Sequence, residues 1–275
     1  MNSTVTRSLS GIIFIGAMLA GLLFSPWLFA LLFVIMTGMM LWEFYRITMG
    51  TEFLHTRLLA IAAGIILFLL VFAVCGFGLP YKYISVGIIP ILLVMATSLY
   101  VKDKADFGLF SNVYTGLLYI AIPLALSNLI AFHGGSFDGT LLLSFFIIIW
   151  ASDVGAYVFG MSLGQRFGKK LFPEISPKKS WIGAIGGGIS AILAAVILQR
   201  TGMIGFPMIH CIILALIMDV AGVYGDLFES QWKRCYDVKD SGNSIPGHGG
   251  FLDRFDSTLM AFPAGAVYLV LAGLL

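Results

Sequence analysis

Apolar segments about long enough to cross a bilayer constrain this chain more than any other feature. A helix that spans about 30 Å of hydrocarbon needs about 20 mostly apolar residues. An open sheet cannot satisfy its backbone hydrogen bonds in lipid. We therefore predict an all-α fold, a polytopic integral membrane helix bundle with about nine transmembrane helices. The nine predicted segments are residues 8–24, 27–46, 57–78, 82–101, 113–132, 140–161, 182–199, 206–227 and 258–274, of which the first and last are short.

The composition agrees with a membrane protein. Only 11% of the 275 residues are charged and 59% are hydrophobic, whereas soluble domains carry about 25% charged residues. A net charge of +2 gives no reason to expect a nucleic-acid partner. The partners that this composition predicts are membrane lipids.

The positions of the basic residues predict an orientation. With nine crossings, all of the 16 Lys and Arg residues except Lys82 and Arg200 fall on one side of the membrane. Basic residues mark the cytoplasmic side. We predict a multi-pass protein of the inner (cytoplasmic) membrane, with a cytoplasmic N-terminus and active site.

Two further features of the sequence bear on processing and redox chemistry. The first apolar segment has the charge pattern of a signal peptide, but a second apolar segment follows almost at once, so we expect no cleavage. The cysteines Cys75, Cys211 and Cys235 have no paired spacing. We expect neither a disulfide nor a thiolate metal site.

Polarity divides the chain into two parts. Residues 1–139 hold few charges, and we predict that they form a scaffold for lipid or subunit contact. Residues 140–275 are the predicted catalytic membrane region, with cytoplasmic loops at 162–181 and 228–257. The stretch Ser230–Asp256 mixes both charge signs beside apolar segments, which predicts a site that meets a lipid and a soluble charged reactant.

Carboxylates at membrane depth are the first candidates for chemistry. Asp153, Asp219 and Asp226 lie within or at the ends of predicted spans, where charges cost about 2.5–3.5 kcal/mol and are usually functional or paired. Asp219 is equally well explained as a hydrogen-bonded helix contact. Asp226, Asp253 and Asp256 are predicted to bind Mg²⁺, which prefers a few carboxylates plus water and phosphate oxygens.

The two aspartates at the end of the second loop have an alternative explanation. Asp253 and Asp256 share a face if the last helix begins at Asp253. This spacing is also common at an ordinary helix start.

Glycines and lysines supply candidate phosphate contacts. His248 precedes Gly249 and Gly250, whose backbone could approach a phosphate closely, although a plain turn is the alternative. The loop 162–181 has five Lys or Arg residues against one Glu, which favours anion binding, or marks topology alone. We interpret Ser176–Lys179 as a rigid turn followed by paired cations.

These residues resemble a known family. The stretch Ser230–Asp256 is similar to the signature of phosphatidate cytidylyltransferases, also called CDP-diacylglycerol synthases. Trp232 departs from it, because the family usually has a smaller residue there. Similarity extends to Asp153–Tyr157 and Ser176–Trp181. The matching signature residues are Ser230, Lys233, Arg234, Lys239, Asp240, Gly242, Ile245, Pro246, His248, Gly249, Gly250, Asp253, Arg254, Phe255 and Asp256.

The resemblance implies an activity and its partners. CTP and phosphatidic acid would give CDP-diacylglycerol and pyrophosphate, with Mg²⁺ and, in some members, a monovalent cation such as K⁺. It also implies a homodimer. The expected catalytic residues are Asp226, Asp253, Asp256, Lys239 and His248, with Asp153, Asp219 and Glu229 as weaker metal candidates. The expected substrate-binding residues are Lys178, Lys179, Lys233, Arg234, Arg254, Gly249, Gly250 and Ser230.

Two other functions compete with this hypothesis. A secondary transporter could use Asp153 and Asp219 as an ion or proton relay, although no inverted repeat is visible. A related CTP-dependent polyprenol kinase shares much of the design. Acyl-chain preference cannot be predicted from the sequence.

Overall fold

The computed structural model describes residues 3–50, 53–100, 107–245, 247 and 249–275, with side chains from residue 9 onward. His248, one of the predicted catalytic residues, lies outside the described residues. The chain falls into two compact units. The first unit comprises Met1–Asp138 with Asp240–Arg254, and the second comprises Gly139–Lys239 with Phe255–Leu275. Residues 240–254, part of the predicted second loop, thus belong to the first unit.

The first unit is built from helices. Ser25 begins the second helix by accepting a hydrogen bond from the Trp27 amide at 3.2 Å, and Pro26 occupies the first turn, where no amide donor is needed. The α-helices are α1 (Ser3–Leu23), α2 (Pro26–Met49), α3 (Leu54–Phe77), α4 (Ile88–Thr97), α5 (Ser111–Gly116) and α6 (Ile122–Ala131). Short helical turns of other types extend α4 to Tyr81–Tyr100 and join α5 to α6 within Gly108–Ala131.

Aromatic side chains form the core of the first unit. Phe29, Phe33 and Phe68 are fully buried. Phe33 stacks on Phe68 with ring centroids 5.8 Å apart, and Phe29 lies 4.6 Å from Phe33. Such ring pairs add to the stability that burial provides. They hold α2 against α3.

The second unit contains the remaining helices and a small hairpin. Its α-helices are α7 (Thr140–Phe159), α8 (Gln165–Phe167), α9 (Trp181–Arg200), α10 (Met208–Cys235) and α11 (Asp256–Leu271). Strands β1 (Lys170–Phe172) and β2 (Ser176–Ser180) pair antiparallel, with Lys170 opposite Ser180. Ser180 then begins α9 by accepting a hydrogen bond from the Gly183 amide.

Glycines allow α9 to pack closely on α7. A Cβ atom at Gly186 would lie 2.5 Å from the Phe159 ring, and one at Gly187 would lie 3.1 Å from the Ser152 carbonyl. Small residues permit this approach in membrane helices. In the same unit, α11 packs on α10. Phe262 of α11 also packs against Phe146 of α7, with ring centroids 4.8 Å apart.

The membrane prediction is confirmed. Seven helices within the described residues are long and apolar enough to span a bilayer, and two shorter apolar helices, Leu9–Leu23 and Asp256–Leu271, match the short predicted segments. The chain is therefore a multi-pass helical membrane protein.

The polar connections differ from the prediction. Ser176–Lys179 belongs to the extended strand β2 and is not a turn. The helix α10 continues to Cys235, eight residues beyond the predicted end of its span. Glu229 and Lys233 form an i,i+4 ion pair on this added stretch, which favours the helix. The last helix begins at Asp256, so Asp253 lies before it, in a 3₁₀ turn (Leu252–Arg254), and the two aspartates share no face of α11.

Candidate active site

Carboxylates of three helices converge in the second unit. Asp153 comes from α7, Asp226 from α10 and Asp256 from the first residue of α11. Each of the three side chains repels the others electrostatically. The backbone makes this approach possible, because Gly225, beside Asp226, packs against the Asp256 carbonyl, where a Cβ would come within 2.6 Å. We call Asp153, Asp226 and Asp256 the aspartate cluster.

Few positive charges or donors balance the aspartate cluster. Lys179, on β2, forms an ion pair with Asp226, and Ser230 Oγ donates to the same carboxylate at 3.3 Å. Ser257 Oγ donates to Asp153 at 3.3 Å. Among the described side chains, Lys179 is the cation paired directly with these three carboxylates, so negative charge is in excess and would attract a cation.

A fourth acid lies beside the cluster. Glu229 is fully buried, interacts electrostatically with Asp256 and pairs with Lys233 at 3.4 Å. The Lys233 side chain is only 14% exposed. Lys233 is therefore engaged within α10 rather than free at the surface.

The chemistry of the aspartate cluster fits Mg²⁺. Within the described residues, no three His, Cys, Asp or Glu side chains converge tightly enough to hold an ion by themselves. Magnesium does not need such a cage, because it commonly binds one or two carboxylates and completes its shell with water and substrate phosphates. The excess of negative charge among Asp153, Asp226 and Asp256 is a donor set of this kind.

A second group of acids organises the glycine-rich loop in the first unit. We call residues 241–252 the signature loop. Asp253 accepts hydrogen bonds from the Ser241 amide at 2.9 and 3.1 Å and from the Gly250 amide at 2.9 Å. The Gly250 amide, predicted to face a phosphate, therefore donates to an acid of the protein. Asp253 therefore connects Ser241, at the start of the signature loop, with Gly250, near its end.

Glu43, near the end of α2, lies at the centre of the same loop. Its carboxylate is 1% exposed and accepts hydrogen bonds from the hydroxyls of Ser241 and Ser244 and the amides of Phe251 and Leu252. The three donors other than Ser244 lie at 2.9 Å. An acid buried this deeply requires such donors, because an unpaired buried charge is very costly.

Two glycines of the signature loop are explained by Glu43. A Cβ at Gly242 would lie 2.7 Å from Glu43 Oε1, and one at Gly250 would lie 2.8 Å from Oε2 and collide with the Ser241 hydroxyl. Gly249 has φ +90°, a conformation that glycine adopts readily and other residues avoid. The glycine pattern thus matches the packing of the loop around an acid.

The predicted phosphate-binding residues are mostly exposed. Lys178, Arg234, Lys239 and Arg254 all have exposed side chains, as a contact to a soluble anion requires. Asp219 differs from these residues. It is buried, accepts a 2.5 Å hydrogen bond from Ser152 and packs against Gly187, so its surroundings match the hydrogen-bonded helix contact considered above.

Comparison with known proteins gives the family. The model of the cytidylyltransferase family matches residues 5–272. The chain belongs to the cytidylyltransferase family. Proteins named phosphatidate cytidylyltransferase are similar to it in Bacillus subtilis (38% identical over 193 residues, 68% of each chain) and Haemophilus influenzae (34% over 283 residues, 94% of this chain and 95% of the relative). A Rickettsia bellii protein of the same name is 35% identical over 179 residues, 63% of this chain and 76% of its own length.

Glu43 of this cytidylyltransferase-family chain was not predicted to be a functional residue. Its position inside the predicted span 27–46 could have identified it, because charged residues at membrane depth are usually functional or paired, as was argued for Asp153 and Asp219. Glu43 was not selected because residues 1–139 were interpreted as a scaffold. Arg46, one turn further along α2, donates to the Ser241 carbonyl at 3.1 Å and was missed for the same reason.

Proposed function

We propose that this protein transfers the cytidylyl group of CTP to phosphatidate and so forms CDP-diacylglycerol and pyrophosphate. The family match over residues 5–272 and the names of the relatives support this reaction. The observation that carries the proposal is the aspartate cluster with its paired lysine. The cluster lies in a chain made largely of helices that are long and apolar enough to span a membrane.

The reaction joins two anions. An oxygen of the lipid phosphate attacks the α-phosphorus of CTP, and the bond from that phosphorus to the bridging oxygen breaks as pyrophosphate leaves. The attacking oxygen is already anionic near neutral pH, so no strong base is needed. The barrier comes from repulsion between the reactants and from charge on the leaving group, and electrostatic stabilisation lowers both.

The aspartate cluster is our proposed metal site. Asp226 and Asp256 would hold Mg²⁺, with Asp153 beside them. That Asp253 is also a metal ligand stays a prediction from the sequence alone. A bound Mg²⁺ would supply positive charge to offset the negative charge of the reacting phosphates. Lys179 pairs with one carboxylate of this cluster and would also attract the phosphates of the nucleotide.

Exposed cations are the proposed phosphate contacts. Lys178, Lys239 and Arg254 would hold the CTP phosphates, and Arg234 would meet the lipid headgroup. Lys233 would act through its pair with Glu229. Ser230 would act through its hydrogen bond to Asp226. His248, Gly249 and Gly250 would shape the phosphate pocket, as predicted from the sequence.

Three parts of the proposal rest on the sequence alone. The basic residues favour a cytoplasmic N-terminus and a cytoplasmic active site in the inner membrane. The homodimer and a monovalent cation such as K⁺ follow from the family resemblance. Each of them stays a prediction.

One assay separates the candidate functions. Purified protein is supplied with CTP, Mg²⁺ and phosphatidic acid, and pyrophosphate release is measured with formation of the lipid nucleotide. Stoichiometric formation of both products is the expected result. Transfer of the γ-phosphate to a lipid alcohol would favour the polyprenol kinase, and ion flux without turnover would favour a transporter.

A further inference from the structure

Glu43 is the most completely satisfied buried acid among the described residues whose hydrogen bonds are given, and it lies outside the predicted catalytic region. It comes from α2, while its four donors come from residues 241–252, at least 198 positions later in the chain. Inserting an ionisable side chain into a membrane segment costs free energy, and such side chains usually have a function. A helix contact alone would be made more cheaply by apolar side chains, because burying a charge requires full compensation by donors.

The positions of the donors show what Glu43 fixes. Ser241 and Ser244 lie at the start of the signature loop, and the Phe251 and Leu252 amides lie at its end. One carboxylate therefore joins the two ends of the loop. Hydrogen bonds to an ionised acceptor are stronger than those between neutral groups, so four of them hold residues 241 and 244 close to residues 251 and 252.

The loop carries residues of the proposed reaction. Leu252 begins the 3₁₀ turn that contains Asp253 and Arg254, and Gly250 packs directly against the Glu43 carboxylate. A shift of Glu43 would move this turn. Misplacement of a catalytic group by about 1 Å can lower a rate roughly 100-fold.

We propose that Glu43 is a positioning residue for cytidylyl transfer, which sets the geometry of Gly250, Asp253 and Arg254 by clamping the signature loop. It touches neither substrate in this proposal. Arg46 assists by fixing the Ser241 carbonyl. Helix α2 of the first unit thus positions residues of the signature loop in the same unit. The catalytic part of this inference rests on the proposed function, whereas the clamp itself does not.

The clamp predicts a specific effect of Glu43→Gln. The amide group of glutamine keeps the size of the side chain but replaces one acceptor oxygen by a donor, which faces other donors. We expect hydrogen–deuterium exchange to rise in residues 241–252 while exchange in α9 stays unchanged. We expect kcat to fall roughly 10- to 100-fold, with the KM for phosphatidate changed less than threefold. Glu43→Asp, which keeps the charge, should restore part of the rate.

Matched controls make the test decisive. Glu174→Gln makes the same change at an exposed acid of the hairpin and should leave exchange and turnover as in the unaltered protein. Unchanged loop exchange or unchanged kcat in Glu43→Gln overturns the proposal. Exchange that rises equally in α9 also overturns it, because Glu43 would then serve folding in general.

If Glu43→Gln folds poorly, a milder variant still tests the proposal. Ser244→Ala removes one donor to Glu43, and it should raise loop exchange and lower kcat by a smaller factor; loop exchange equal to that of the unaltered protein would overturn the clamp. If the unaltered protein releases no pyrophosphate, the proposed function fails, and loop exchange in these variants alone decides whether Glu43 is a clamp.

Discussion

The acids around the signature loop accept more hydrogen bonds from protein donors than the acids of the aspartate cluster do. Glu43 and Asp253, in the first unit, are surrounded by amide and hydroxyl donors from residues 241–252. Asp153, Asp226 and Asp256, in the second unit, face one another, and Lys179 is the cation paired directly with them among the described side chains.

This contrast separates two uses of the same chemical group. An acid whose charge is met by protein donors stabilises a conformation, because removing it leaves those donors unpaired. Acids that repel one another lower the stability of the fold and are kept where an external cation or substrate completes the site. Charge satisfaction thus distinguishes the proposed clamp from the proposed metal site.

The largest expected effect follows from removing a charge from the aspartate cluster. Asp256→Asn should lower turnover roughly 100- to 1000-fold, a loss typical of an electrostatic catalytic group. Pyrophosphate release across a Mg²⁺ titration measures this effect. Asp138→Asn, an exposed acid at the end of the first unit, is the control and should keep full activity. Near-normal turnover of Asp256→Asn would remove Asp256 from the metal site.

Asp253→Asn tests whether one acid both stabilises the signature loop and binds the metal. Loss of charged acceptors for the Ser241 and Gly250 amides should lower the free energy of unfolding by about 1–3 kcal/mol, measured by thermal unfolding with a chelator present. If Asp253 also binds metal, turnover should fall and the Mg²⁺ requirement should rise. Near-normal turnover across the whole Mg²⁺ titration would show that Asp253 is no metal ligand.

Lys179→Ala removes the cation paired with the aspartate cluster. We expect the KM for CTP to rise roughly tenfold, equivalent to about 1.4 kcal/mol of lost interaction. Steady-state kinetics at saturating Mg²⁺ and phosphatidate measure it. Lys169→Ala, an exposed neighbour just before β1, should change the KM little. An unchanged KM and rate in Lys179→Ala would exclude Lys179 from the nucleotide site.

The smallest expected effect concerns the packing around Asp219, which accepts a hydrogen bond from Ser152. A Cβ added at Gly187 would meet Asp219 Oδ1 and Ser152 at 3.1 Å, so Gly187→Ala should destabilise the protein by about 1 kcal/mol. Gly16→Ala in α1, where a Cβ meets open space, is the control for thermal unfolding. Equal unfolding temperatures would contradict the close packing of α9.

Some of the site was predictable from local sequence and some was not. Asp226, Lys233 and Asp256 lie in or beside one polar segment between two apolar helices. Their location at the same side of the membrane was therefore predictable. The β-hairpin was not, because Ser176–Ser180 has no alternation of apolar and polar residues, and its strand pairing depends on Lys170–Phe172.

The role of Glu43 also escaped prediction for a physical reason. Sequence showed a single acid in an apolar segment but could not show its partners, which lie at least 198 residues away in the chain. Gly249 and Gly250 were interpreted as a phosphate contact, and Gly242 was a residue of the family signature. In the structure, a side chain at Gly242 would meet the Glu43 carboxylate, and one at Gly250 would meet first the Ser241 hydroxyl and then Glu43.

By itself, the sequence determined that this chain is a multi-pass helical membrane protein, because hydropathy is a property of consecutive residues and lipid permits few spanning structures. It also determined the family, through a signature confined to one stretch of the chain. The tertiary structure decided which acids meet donors and which meet one another. That outcome depends on helix packing that brings distant residues together, and no local pattern encodes it.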